Sequence, residues 1–232
     1  MFIPVLACRL MIVMIDKIAD FCLYDKGWGD YVYPFDTMDS MPNVQEKLKT
    51  FKVLFLDADG VFFDGQETRS TLPDSSVLIA KSRGHQDGQG LSFLREIGIK
   101  IVFVSGEGEP LGGIVDRFNN LTSAKNGRWP KVELFTKQGV KGAKLETVKS
   151  WLAENKLTFA DAVYMGDDIN DRGAMLAIRD QGVIVCPANA TRTVRPLAHI
   201  ITKHYGGFGA IREFAEMVLD ARKINENDFP PA

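Results

Sequence analysis

From residue 51 onward the chain alternates short, unbroken apolar runs with stretches whose apolar residues recur every three or four positions. Lys52 to Leu56 (KVLFL), Ile99 to Val104 (IKIVFV), Ala162 to Met165 (AVYM) and Gly182 to Cys186 (GVIVC) are runs of the first kind, with His199 to Thr202 (HIIT) a weaker fifth. Continuous apolar runs of this length suit parallel strands buried on both faces. Among the stretches of the second kind, Gly90 to Ile97 carries Leu91, Leu94 and Ile97, and Gly142 to Glu154 carries Leu145, Val148 and Leu152. Phe208 to Arg222 carries Ile211, Phe214, Ala215, Val218 and Leu219. That is the spacing of an amphipathic helix. Strands and helices in alternation predict an α/β fold, an open parallel sheet with right-handed crossovers and helices on both faces.

Two segments depart from the alternation. Phe62 to Ser82 has DGQ near one end, TLPDSS in the middle and VLIAKS after it, and reads as a β-hairpin. Residues 1–50 precede the first strand without a periodic pattern, and their 24–43 portion is rich in aromatics and turn formers and reads as irregular. The opening run MFIPVLACRLMIVMIDKIADF is apolar enough to resemble a signal peptide. Arg9 interrupts it, however, Asp16 and Lys17 close it early, and no basic segment precedes it. A packed or partner-facing segment is the preferred reading. No stretch reaches the roughly 18 uninterrupted apolar residues of a membrane span.

Composition narrows the function classes. Apolar residues make up 45% and charged residues 25%, which excludes collagen-like, disulfide-scaffold and disordered chains. A net charge of −2 and a pI near 6.0 give no electrostatic reason to expect nucleic acid or an anionic membrane as partner. Cys8, Cys22 and Cys186 are widely spaced and form no CxxC, which suits reduced thiols in a cytoplasmic protein. With His85, His199 and His204 as the only histidines, a His-rich metal site is not expected.

In an open α/β sheet, ligands bind beyond the carboxyl ends of the strands. The polar residues there are Asp57 and Asp59, then Ser105, then Asp167, Asp168 and Asp171, with Lys144 near the start of an intervening helix. This ordered set suits phosphoryl transfer from a small phosphorylated metabolite. An aspartate nucleophile approaches a phosphate dianion only if that charge is offset, and Mg2+ held by carboxylates offsets it. Asp57 and Asp167 are the obvious metal carboxylates. Asp59 is placed to protonate the leaving oxygen and then deprotonate water. Ser105, with the backbone N–H groups of Gly106 and Glu107, can hold phosphate oxygens, and Lys144 supplies a fixed positive charge.

The set and its order resemble the haloacid dehalogenase superfamily, at DADG (57–60), Ser105-Gly106, Lys144 and GDDIND (166–171). The closest resemblance is to its small-cap branch that includes 3-deoxy-D-manno-octulosonate 8-phosphate phosphatase. DADGVFFDG (57–65), DGQG (87–90), QGVKGAK (138–144) and GGFGAIRE (206–213) carry it, over about residues 50–222. The resemblance implies a Rossmann-like core at 51–232, a hairpin flap at about 62–82 in place of a cap domain, and residues 1–50 as an extension of unknown role. It also implies a homotetramer acting on a phosphorylated sugar acid of eight or nine carbons. By position, Asp57 is then the nucleophile and Asp59 the acid/base. Asp57, the Asp59 carbonyl and Asp167 bind Mg2+, and Gly60, Ser105, Gly106 and Lys144 bind substrate. Asp168 and Asp171 either support the metal-binding groups or cap the next helix. The chain departs from the family pattern at Phe208, where arginine is usual, and at Glu107. Lys141 is an alternative to Lys144, and 122–131 (TSAKNGRWPK) reads as an inserted loop. Two other readings compete with the phosphatase: a non-catalytic oligomerisation module of a sugar-nucleotide pathway, and a phosphomutase.

Overall fold

The structure is a computed structural model that describes residues 44–106, 108–139 and 142–230. The readings of residues 1–43, Glu107 and Lys141 fall outside the described residues.

The apolar runs become the strands of one sheet. β1 (Val53–Leu56) lies at its centre, flanked by β4 (Lys100–Val104) and β6 (Ala162–Met165). Beyond them lie β5 (Glu133–Phe135) on one side and β7 (Val183–Cys186) and β8 (Ile200–Ile201) on the other. The order is β5-β4-β1-β6-β7-β8 and every pairing is parallel. Every residue of β1, β6 and β7 is buried, as expected for strands covered on both faces. The chain moves outward from β1 through β4 to β5, then returns to β6 on the other side of β1. The strand order therefore reverses at the β1–β6 pair, and a crevice opens beyond the carboxyl ends of these two strands.

The helices flanking the sheet are α1 (Val44–Thr50), α2 (His85–Glu96), α3 (Leu111–Asn120), α4 (Thr122–Lys125), α5 (Ala143–Glu154), α6 (Arg172–Arg179) and α7 (Ala210–Arg222). α2 starts at His85, ahead of the expected Gly90, because its first turns contain Gly88 and Gly90, whose weak helix propensity hides them from a pattern reading. α1 packs on α7 through buried Leu48, and Arg222 donates to the carbonyls of Leu48 and Phe51. No helix among the described residues is long and apolar enough to cross a membrane.

The hairpin is present but shorter than the 62–82 span, with β2 (Glu67–Thr71) antiparallel to β3 (Val77–Lys81). Phe62 and Phe63 belong to the core instead, where Phe62 meets Phe103 edge-on at 5.2 Å between ring centres. The stretch 122–131 is no free loop. It opens with α4, and Trp129 is buried under the Arg95 guanidinium while its indole N–H donates to Glu96. An apolar ring this large leaves water whenever a surface is available, and the polar letters around it conceal that.

Candidate active site

Backbone register brings the acids together. Leu56 pairs with Met165 across β1 and β6, and the Asp57 N–H donates to the Met165 carbonyl at 3.0 Å. The next residues, Asp57 on one strand and Gly166-Asp167 on the other, therefore emerge side by side at the switch point. Oxygens of Asp57, Asp167 and Asp171 lie within 4.8 Å of one another. Gly60 turns the chain above them with φ +77°, and a Cβ there would run into the Asp167 carboxylate. Only glycine allows this approach.

Lys144, 1% exposed, enters from the first turn of α5. Its ammonium lies 2.6 Å from Asp57 Oδ2 and 2.7 Å from Asp171 Oδ1. Burial alone would lower its pKa, but Asp171 and Asp57 outweigh that and hold it above its ordinary value. Burial, then Asp171, pushes Asp57 up to about 7 against the opposing pull of Lys144. Burial, then Asp171, Asp57 and Asp168, pushes Asp167 up to about 8. Carboxyls raised this far are short of positive charge, and a divalent cation among them would supply it. The donors are hard carboxylate oxygens, with no histidine or cysteine in the cluster, so the site fits Mg2+.

The three acids are not equivalent. Asp171 Oδ1 accepts from Lys144 and from the Tyr164 hydroxyl at 2.7 Å, and its Oδ2 accepts from the N–H groups of Asp167 and Asp168. Four donors occupy its two oxygens, so Asp171 acts as the post that fixes Lys144 and the 166–168 turn. Asp168 Oδ1 accepts from the Ile169 N–H and the Thr191 hydroxyl, tying that turn to the loop after β7. Asp59 stands nearer the mouth, its side chain 41% exposed, with both oxygens on the Lys81 ammonium at 2.8 and 2.9 Å. Ser105 is buried at the end of β4, its N–H donating to the Phe135 carbonyl, and Gly106 follows it opposite Gly139.

Four participants escaped the sequence reading. Tyr164 belongs to the apolar run AVYM, and nothing in that run marks its hydroxyl as the partner of Asp171. Asn189 donates to the Gly60 carbonyl and accepts from the Gly206 N–H, so it clamps the glycine turn onto the Asp57–Gly60 loop. Asp87, fully buried, accepts from the N–H groups of Gly209, Ile211 and Arg212. The DGQG and GGFGAIRE segments are thus two halves of one contact. Lys81 is the fourth. Gly206 sits so close to the Gly60 backbone that a Cβ would collide with it. The same turn exposes Tyr205 and Phe208 at 58% and 60%.

No model of a known protein family matches the chain. It is 28% identical over 180 residues to 3-deoxy-D-manno-octulosonate 8-phosphate phosphatase KdsC of Haemophilus influenzae, covering 77% of this chain and 88% of that protein. Among solved structures, a probable YrbI family phosphatase from Pseudomonas syringae superposes with a TM-score of 0.61 at 31% identity, over 79% of this chain and 93% of that one. The Moraxella catarrhalis 3-deoxy-D-manno-octulosonate 8-phosphate phosphatase, solved with a magnesium ion, a phosphate ion and KDO, superposes with a TM-score of 0.61 at 25% identity, over 78% and 92%.

Proposed function

Because the chain belongs with the YrbI-type phosphatases of the haloacid dehalogenase superfamily, we propose that it hydrolyses a phosphorylated sugar acid through an aspartyl-phosphate on Asp57. The observation that carries this reading is the buried Asp57–Lys144–Asp171 chain beside Asp167, at the point where the strand order reverses.

In the first half-reaction an Asp57 oxygen bonds to phosphorus as the ester P–O bond breaks, and Asp59 gives its proton to the departing oxygen. In the second, Asp59 takes a proton from water. The water oxygen bonds to phosphorus, the Asp57–phosphorus bond breaks, and inorganic phosphate leaves. Asp57, Asp167 and the Asp59 carbonyl would hold Mg2+, which when bound offsets the charge of the phosphate. Lys144 keeps Asp57 oriented and adds a second positive charge beside the incoming dianion. Ser105 and the Gly106 N–H, at the adjacent strand end, are suited to the phosphate oxygens. Gly60, which has no Cβ, leaves room for the Asp167 carboxylate beside the nucleophile.

The exposed hairpin supports association with other copies of the chain, for which the family resemblance implies a homotetramer. Val77, Leu78 and Leu72 are solvent-facing on a two-stranded sheet of a kind that is marginal by itself. Covering them against other copies would remove that apolar surface from water.

The test is a screen of phosphorylated eight- and nine-carbon sugar acids with Mg2+, alongside a generic aryl phosphate. We expect release of phosphate, a sugar acid preferred at least ~10-fold in kcat/KM, and loss of turnover in Asp57→Asn by at least about 10³-fold. Turnover of the aryl phosphate with no preference among the acids would remove the substrate and leave the mechanism. No turnover of any ester would favour the non-catalytic assembly module.

A further inference from the structure

We infer that Lys81 is the positioning residue through which the β2–β3 hairpin sets the pose of the Asp59 carboxylate; this rests on the reading of Asp59 as proton donor to the leaving oxygen. Lys81 is the last residue of β3. Its ammonium reaches both Asp59 oxygens at 2.8 and 2.9 Å, and among the described residues it is the group that bonds that carboxylate. A carboxylate oxygen of Glu67, its register partner across the hairpin base, lies 3.7 Å from the same ammonium. The Lys81 side chain is 4% exposed, whereas Asp59 is 41% exposed. The cation is therefore enclosed, and the carboxylate it holds stays open toward the mouth of the site.

The surroundings make this contact more than a surface ion pair, which would contribute little. The rest of the hairpin is solvent-exposed along β2 and over most of β3. It is fixed at its base, where the Asp64 N–H donates to the Ser82 carbonyl and the Gly84 N–H to the Gly207 carbonyl. Lys81 lies at this fixed end, on the hairpin side of Ser82, with the Phe63 ring 6.0 Å from its ammonium. The anchored base therefore holds the ammonium in place, and the ammonium holds Asp59. A proton donor must stay within hydrogen-bond reach of the oxygen it serves, and a misplacement of about 1 Å costs on the order of 10²-fold in rate.

The experiment compares phenyl phosphate with 4-nitrophenyl phosphate, esters of similar shape of which only the first needs a proton on its leaving oxygen. It is read as kcat/KM, which reports the leaving-group step. Lys81→Met should lower kcat/KM on phenyl phosphate about 10- to 100-fold and on 4-nitrophenyl phosphate less than about threefold. Lys81→Arg, which can still hold a carboxylate, should recover most of the loss. Asp59→Asn serves as the reference and should show the same selectivity, larger in size. Equal losses on both esters in Lys81→Met would reduce Lys81 to an anchor of the hairpin and overturn the inference. If Asp59→Asn is itself unselective, the acid role of Asp59 fails, and the Lys81 role fails with it. If Asp59→Asn is selective and Lys81→Met is not, only the Lys81 role fails.

Discussion

Replacing Lys144 by methionine tests the electrostatic account of the site most directly. The ammonium lies 2.6 and 2.7 Å from two carboxylates, and all three side chains are at most 6% exposed. Methionine fills much of the same volume, so the change removes charge and hydrogen bonds with little cavity. Removing one partner of a buried ion pair costs about 3–5 kcal/mol, because the charge left behind has no compensation. At about 2–4 °C per kcal/mol for a domain of this size, the melting temperature should fall by roughly 10 °C. The measurement is thermal unfolding in EDTA at pH 9, because Asp57, at about 7 with Lys144 in place, is pushed higher once that ammonium is removed. Two further arms fix the cause. Lys144→Met/Asp57→Asn should melt above Lys144→Met, because the second change removes one of the stranded charges. Mg2+ at one fixed concentration should also narrow the gap between variant and wild type, because the variant, which lacks the ammonium, gains more from the added positive charge; a protein at a hundred times its own dissociation constant gains about 2.7 kcal/mol. A Lys144→Met melting point within 2 °C of wild type in EDTA would refute the claim that this lysine neutralises the buried acids.

Gly60→Ala should abolish Mg2+-dependent turnover while the chain still folds, since its Cβ would occupy the space of the Asp167 carboxylate at a backbone φ of +77°; phosphate release and a Mg2+ thermal shift measure the two effects, and normal values for both would be inconsistent with this geometry. Asp87→Ala strands two buried N–H groups and a partly buried one at the start of α7 and should cost about 3 kcal/mol in chemical denaturation. It should also loosen the Gly206 turn, lowering activity more than Asp87→Asn, which can still accept. His199 is buried and neutral, its Nδ1 accepting from the Ile184 N–H, and burial pushes its pKa down to about 4. The unfolded chain therefore binds a proton that the folded chain refuses, so stability present above pH 6.5 is lost as pH falls from 6.5 toward 4, by up to about 3 kcal/mol. His199→Gln, which cannot titrate, should flatten that part of the stability–pH curve, and an unchanged slope would exclude His199 as its source.

The strands and the acids at their ends were legible in the sequence because both are local signals. KVLFL, IKIVFV, AVYM and GVIVC are too short and too apolar to be anything but covered strands in an alternating chain, and each leads straight into polar residues. β5 and α6 were not legible, since three residues of strand and eight of helix carry too little periodicity to stand out. The segment 122–131 reads as a loop from its sequence for the opposite reason: one buried ring, Trp129, decides the path of a mostly polar stretch.

What the chain's order of residues determined by itself is which chemical groups arrive at one rim, because a parallel strand must end on the same side as its neighbours. Which of them meet, and in what role, was decided only in three dimensions. Asp57, Asp167 and Asp171 look alike as letters, yet the fold places four donors on the two oxygens of Asp171, from Lys144, Tyr164 and the turn, and two on those of Asp57, from Lys144 and the Ala58 N–H. Lys81 reaches Asp59, and Asp87 reaches the glycine turn, across 22 and 122 positions of sequence. Contacts at such separations depend on packing of the whole domain and leave no periodic trace in either partner's neighbourhood.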